Sequence, residues 1–179
     1  MGDMDYCVLD IETYGGQWKT FPEGFSLLLT GIKHRDNYFM FTGHKASLTQ
    51  MADFLENFDG VVVTFNGDRF DLPILSKYVS ELAGKSLLIK RHFDLLKAIE
   101  LKSHRRISLD KLSRYTFGGE KVPWDHRTNL AVWNTNPYLL VEYNRVDLDL
   151  TDDLFRRILS RRHLFLGDTT ILVDPPLFG

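Results

Sequence analysis

Cys7-Val8-Leu9-Asp10-Ile11-Glu12-Thr13 is an apolar run that carries two carboxylates one residue apart. Neither acid belongs in a buried strand by composition. Side chains alternate faces along a strand, so Asp10 and Glu12 project from one side as a paired acidic surface. Two like charges held that close repel. A raised pKa on one of them relieves the repulsion, and so does a cation between them; hard carboxylate oxygens favour Mg²⁺ or Mn²⁺. A strand end reaching solvent with both acids hydrated fits this stretch equally well. The choice depends on what else the chain brings to the same place.

At 179 residues and 44% hydrophobic, the chain is sized for one core, and the expectation is a single domain over 1–179. Its core would span about 5–163, with 164–179 as a C-terminal tail or extension. No stretch approaches the ~18 apolar residues of a membrane span, and Met1-Gly2-Asp3-Met4-Asp5 is acidic where a signal peptide needs positive charge. A soluble, cytoplasmic protein with no membrane partner is expected. The single cysteine, Cys7, reads as a small buried residue. A net charge of −2, from 22 Lys+Arg against 24 Asp+Glu, argues against broad non-specific binding to DNA or membrane. Basic clusters at Lys90-Arg91-His92, Lys102 to Arg106, Lys111, Arg114, and Arg156 to His163 suit either a phosphate track or solvated helix faces.

Outward from the acidic pair, Asp5 to Ile11 is a strand, followed by a wide loop through Gly15-Gly16, Pro22 and Gly24. Phe25 to Phe41 should be a hairpin turning at Asp36-Asn37. From Ser47 the apolar spacing becomes helical (Leu48, Met51, Ala52, Leu55), with Ser47 as N-cap and Gln50 three residues on. Val61 to Phe65 has the β-branched composition of a central strand covered on both faces. A helix follows from Leu72 through Leu82, then Leu87-Leu88-Ile89 as a further strand leading into His92-Phe93-Asp94. Asp94 and the stretch from Ser103 to Ser108 offer caps for short helices, one of them ending at Gly118-Gly119. Trp124 to Trp133 carries no clear pattern. Asn136-Pro137, an N-cap residue before proline at the first helical position, opens the longest helical pattern. This order describes an α/β domain with a mixed sheet.

At about 100° per residue, Leu140, Tyr143, Asp147, Leu150, Leu154 and Ile158 share one face of that last helix. An aspartate on a core-facing stripe needs pairing, hydrogen bonds or metal, because an isolated buried carboxylate is costly. Asp149, Asp152 and Asp153 point elsewhere by the same count. Tyr143 lies one turn before Asp147. After Val61 to Phe65 comes Asn66-Gly67-Asp68-Arg69-Phe70-Asp71, with Asp71 at a helix N-terminus. There it is a plain N-cap, or a ligand at the carboxyl end of a central strand.

Asp10-Ile11-Glu12, Asn66 to Asp71, and Tyr143-Asn144-Arg145-Val146-Asp147 together resemble the three exonuclease motifs of the DEDD superfamily of 3′→5′ exonucleases. Tyrosine in the third motif resembles the DEDDy branch, similar to the proofreading domains of family B DNA polymerases. The resemblance spans Asp10 to about Phe155. It implies a ribonuclease H-like fold, a central mixed sheet of about five strands, the first three antiparallel, flanked by helices on both faces. It further implies two divalent ions, Mg²⁺ or Mn²⁺, held by Asp10, Glu12, Asp71 and Asp147. Asp10 would bridge them, Glu12 and Asp147 would complete the nucleophile-side ion, and Asp71 would support the second. Tyr143 would orient the attacking water. Thr13, Tyr14, Asn66 and Phe70 would contact the strand. The implied function is release of 5′-mononucleotides from single-stranded 3′ ends, DNA in preference to RNA. Without a polymerase domain, the chain would act alone or beside a polymerase or repair partner. A 3′-trimming ribonuclease and a silent nucleic-acid-binding module of the same fold are the other readings. Asp68 and Asp94 are rival acids near the site.

Overall fold

Alternation along the first strand sets up both sides of the molecule. In the computed structural model, which describes residues 4–118 and 123–177, β1 is Tyr6–Gly15, longer than the sequence suggests because pairing continues past the acidic pair. Cys7, Leu9 and Ile11 face one core, with α1 (Lys45–Asn57) and α2 (Asp71–Tyr78) above them. Val8 faces the opposite core, beneath α3 (Leu95–Ser103), α4 (Leu109–Phe117) and α6 (Pro137–Arg161). By the same alternation Asp10 and Glu12 project toward the α6 side.

β1 pairs antiparallel with β2 (Phe25–His34) and parallel with β4 (Val61–Thr64). β3 (Asn37–Thr42) lies beyond β2 and β5 (His92–Asp94) beyond β4, giving a five-stranded sheet in the order β3-β2-β1-β4-β5. Among the described residues six α-helices flank it, with α5 at Asn129–Thr135. Helices therefore cover both faces of a mixed sheet, the ribonuclease H-like arrangement that the motifs imply.

Local expectations differ from the structure in instructive ways. The hairpin turns at Arg35 and Asp36, with Arg35 in the left-handed region and Asn37 already paired to His34. Ser47 does not cap α1. Its hydroxyl accepts from Thr42 N–H (2.8 Å), and the helix starts after His44. Leu87-Leu88-Ile89 is not a strand; Leu87 and Ile89 pack against the α1–α2 core while pairing begins only at His92. Asp94 and Ser108 do cap α3 and α4, and α4 ends at Gly118; Gly119 lies outside the described residues, as do Met1 to Asp3. Segment 164–177 contributes to a hairpin, β6 (His163–Leu166) and β7 (Thr169–Leu172), that buries Leu164, Leu166, Ile171 and Val173 in the α6-side core.

Asp152 corrects the helical-face assignment. The buried surface of α6 is broader than one stripe and takes in Asn144, Leu148, Thr151, Asp152 and Phe155. Among the described residues no helix is long and apolar enough to cross a membrane.

Candidate active site

Helix α6 starts with proline at its first turn and runs 25 residues, so Tyr143, Asn144 and Asp147 hang from one rigid rod across β1 and β2. Ligand oxygens of Asp10, Glu12 and Asp147 all lie within 4.8 Å of one another. Glu12 and Asp147 are buried and Asp10 is half-buried. Asn144 Nδ2 donates to Asp10 Oδ2 (2.8 Å). That contact needs Gly31, the residue paired with Asp10 on β2, because a Cβ there would overlap Asn144 Oδ1 and touch Leu148.

Asp71 is the first residue of α2 rather than its N-cap, which is Phe70. Its Oδ1 accepts from Ile11 N–H (3.2 Å), so the carboxylate is aimed at β1. Burial pushes the Asp71 carboxyl up to about 7, and the charges of Asp94 and Asp147 add to this, although backbone N–H groups of Asp71 and Ile11 work the other way. Tyr143 is raised well above the ordinary phenol range, first by burial and then by Asp147, Glu12, Asp110 and Asp10. Its ring stacks on Trp124 (centroids 4.4 Å apart) and meets the edge of His126 (5.8 Å).

The nine residues singled out from the sequence, Asp10, Glu12, Thr13, Tyr14, Asn66, Phe70, Asp71, Tyr143 and Asp147, line one cleft of about 1010 Å³. Trp18, Phe25, Arg106, His126 and Arg127 line it too. Trp18, Phe25 and Phe70 touch one another through their rings. Arg106 Nη2 donates to Asn66 Oδ1 (3.1 Å), and Asn66 holds a left-handed backbone that Asp94 secures by accepting from the N–H groups of Asn66 and Asp68 (both 3.0 Å). Asp68 pairs with His92 (3.1 Å) and Lys97 (2.6 Å). The two rival acids thus build the loop that precedes Asp71 and are not among the cleft-lining residues.

Sequence reasoning missed Asn129, Asn144, Trp124 and Gly31. Asn144 was findable, since it sits between Tyr143 and Asp147 on a helix. Asn129 was not, because its partner Glu12 is 117 residues away in sequence.

Two comparisons lead toward polymerases. A family B DNA polymerase from the hyperthermophilic archaeon Pyrobaculum calidifontis shares the fold, with a TM-score of 0.66 at 20% identity over 87% of this chain and 24% of that one. The protein named DNA polymerase 1 of Aeropyrum pernix is 28% identical over 137 residues, 64% of this chain and 14% of its own length. This chain therefore spans only a small part of either polymerase. The family model of the RNase_H superfamily matches residues 7–158, the stretch that runs from β1 through Asp147 to the last turns of α6, and the chain belongs to the RNase_H superfamily.

Proposed function

We propose that this chain is a metal-dependent 3′→5′ exonuclease that releases 5′-mononucleotides from single-stranded ends, DNA in preference to RNA, beside a polymerase or repair partner. The convergence of Asp10, Glu12 and Asp147 oxygens within 4.8 Å, in a cleft shared with Asp71 and Tyr143, carries this reading. An all-carboxylate oxygen set of this kind fits hard divalent cations, Mg²⁺ or Mn²⁺. Two such ions on Asp10, Glu12, Asp71 and Asp147 would supply charge stabilisation to the phosphoryl group and a more acidic water.

The chain's own side chains do the rest. Asn144 turns Asp10 and Asn129 turns Glu12 by donating to one oxygen of each. Tyr143 keeps its proton at neutral pH, because burial and the surrounding acids hold its pKa high, so it orients a water through its hydroxyl and does not act as a base. Arg106, with five N–H donors and one of them on Asn66, is placed to meet a backbone phosphate. The rings of Trp18 and Phe70, backed by buried Phe25, offer stacking surface to bases of an unpaired strand, which supports a single-stranded substrate. Similarity to polymerases by name supports DNA and a polymerase or repair setting.

A 5′-labelled single-stranded DNA should shorten stepwise from its 3′ end with Mg²⁺ or Mn²⁺ and stay intact with EDTA; the same sequence as RNA should shorten more slowly. Intact substrate under both metals at near-stoichiometric protein favours the silent binding module, and faster loss of RNA favours the ribonuclease. Tyr143→Phe should slow turnover by roughly 10²-fold if water orientation is its role. An unchanged rate removes that role.

A further inference from the structure

We propose that Trp124 and Asn129 form a positioning relay that sets the ligating geometry of Glu12 and the ring of Tyr143 together. The inference rests on the metal-binding reading above. Asn129 is buried, and its carboxamide is contacted on both sides: Nδ2 donates to Glu12 Oε2 (3.1 Å) and Thr13 O (2.9 Å), and Oδ1 accepts from Trp124 Nε1 (2.7 Å). An indole N–H can only donate, so Oδ1 must face Trp124 and Nδ2 must face Glu12. A flipped amide would set its NH₂ group against the indole N–H and its carbonyl against two oxygens. The orientation is therefore fixed from outside the acid cluster.

Glu12 is where this matters. Its side chain has more torsional freedom than an aspartate, and β1 shifts register between Glu12 and Thr13, where the strand is locally re-aimed. A donor from a locked amide holds one oxygen of a carboxylate that has a ligand atom within 4.8 Å of those of Asp10 and Asp147. Meanwhile the indole ring lies nearly parallel to the Tyr143 ring (21°, 4.4 Å). One tryptophan thus touches the phenol directly and Glu12 through a single intermediary. Partners that orient a ligating group typically change metal affinity by about 10- to 100-fold.

Mn²⁺ binding to the full chain, followed by isothermal titration calorimetry without substrate, tests the relay. Trp124→Phe keeps an aromatic ring beside Tyr143 but removes the indole donor; Asn129→Ala removes the amide. Each should weaken Mn²⁺ binding by roughly 10-fold, and the double variant should be no weaker than the poorer single one, since both break one chain of contacts. At saturating Mn²⁺, Trp124→Ala should turn over more slowly than Trp124→Phe, because it alone strips the ring from Tyr143. Circular dichroism establishes that each variant is folded, and the conservative Trp124→Phe serves if Asn129→Ala is not. Unaltered affinity in folded Trp124→Phe overturns the relay while leaving the metal site standing, and so does full additivity in the double variant. Absence of Mn²⁺ binding in the wild type overturns the metal-site reading itself.

Discussion

Asp71 shows how one residue can satisfy two descriptions. Its position suits an N-cap, yet Phe70 occupies the cap position and the Asp71 carboxylate reaches across to the Ile11 N–H. Burial, with Asp94 and Asp147 nearby, lifts its pKa to about 7, against an unfolded value of about 4. A raised folded pKa means that the folded state holds the proton to higher pH. Its stabilising contribution is full below about pH 4 and is lost as pH rises to about 7. In EDTA, thermal unfolding of the wild type should therefore fall relative to Asp71→Asn across that window, leaving the variant the more stable protein at pH 7.5. Parallel melting curves over the same window would mean that Asp71 titrates as an ordinary carboxylate. What the sequence made legible was the set of acids: period-2 counting paired Asp10 with Glu12, 3.6-residue counting put Asp147 on a core-facing stripe, and the resemblance implied that they meet. Of the amides that orient them, Asn144 was within reach from its place between Tyr143 and Asp147, whereas Asn129 was invisible, because a buried Asn acquires meaning only from a partner distant in sequence.

Among the elements, the legible ones are those whose pattern and burial agree. β1 and α6 carry apolar periodicities and β4 a β-branched run, and all three were readable from the chain alone. Leu87-Leu88-Ile89 was not, since a short apolar run bounded by Ser86 and Lys90 packs equally well as loop; here Leu87 and Ile89 pack against the α1–α2 core without pairing. Segment 124–133 was opaque because its function is carried by side-chain contacts and not by a repeating face. β2 shows the reverse case, a glycine inside a good strand. Gly31 removes packing surface, and its value lies in the room it gives Asn144 and Leu148 of α6. Gly31→Ala should push α6 away from the sheet and cost about 1–3 kcal/mol in urea unfolding, the usual penalty for overpacking. It should also disturb Asp10, whose Oδ2 rests on Asn144. A stability equal to wild type would show that Asn144 yields easily and that Gly31 is there for some other reason.

For the molecule as a whole, α6 is the beam that joins the acidic cleft to the core. One end presents Tyr143 and Asp147 to the cleft, and the other packs into the core that the β6–β7 hairpin covers. Between them a charged cluster ties the helix to the sheet: Lys33 of β2 lies 2.6 Å from both Asp149 and Asp152, while Tyr6 of β1 (2.5 Å) and Arg156 (3.0 Å) also donate to Asp152. Simple helical counting put Asp152 off the core-facing stripe, and three donors are what make its burial tolerable. Burial by itself would raise this carboxyl, but hydrogen bonds from Lys33, Tyr6 and Arg156 outweigh it and hold the pKa below the ordinary value. A depressed folded pKa contributes stability that is present above the unfolded value of about 3.9 and is lost as pH falls through the folded one. Asp152→Asn should thus destabilise the protein by about 3 kcal/mol at pH 7, since it takes a buried charge from between Lys33, which keeps only Asp149, and Arg156. Urea unfolding of both proteins from pH 7 down to pH 3 checks the sign. The gap between them should stay constant to about pH 4 and close below it; a gap that persists unchanged at pH 3 would mean that Asp152 contributes through shape and not through charge.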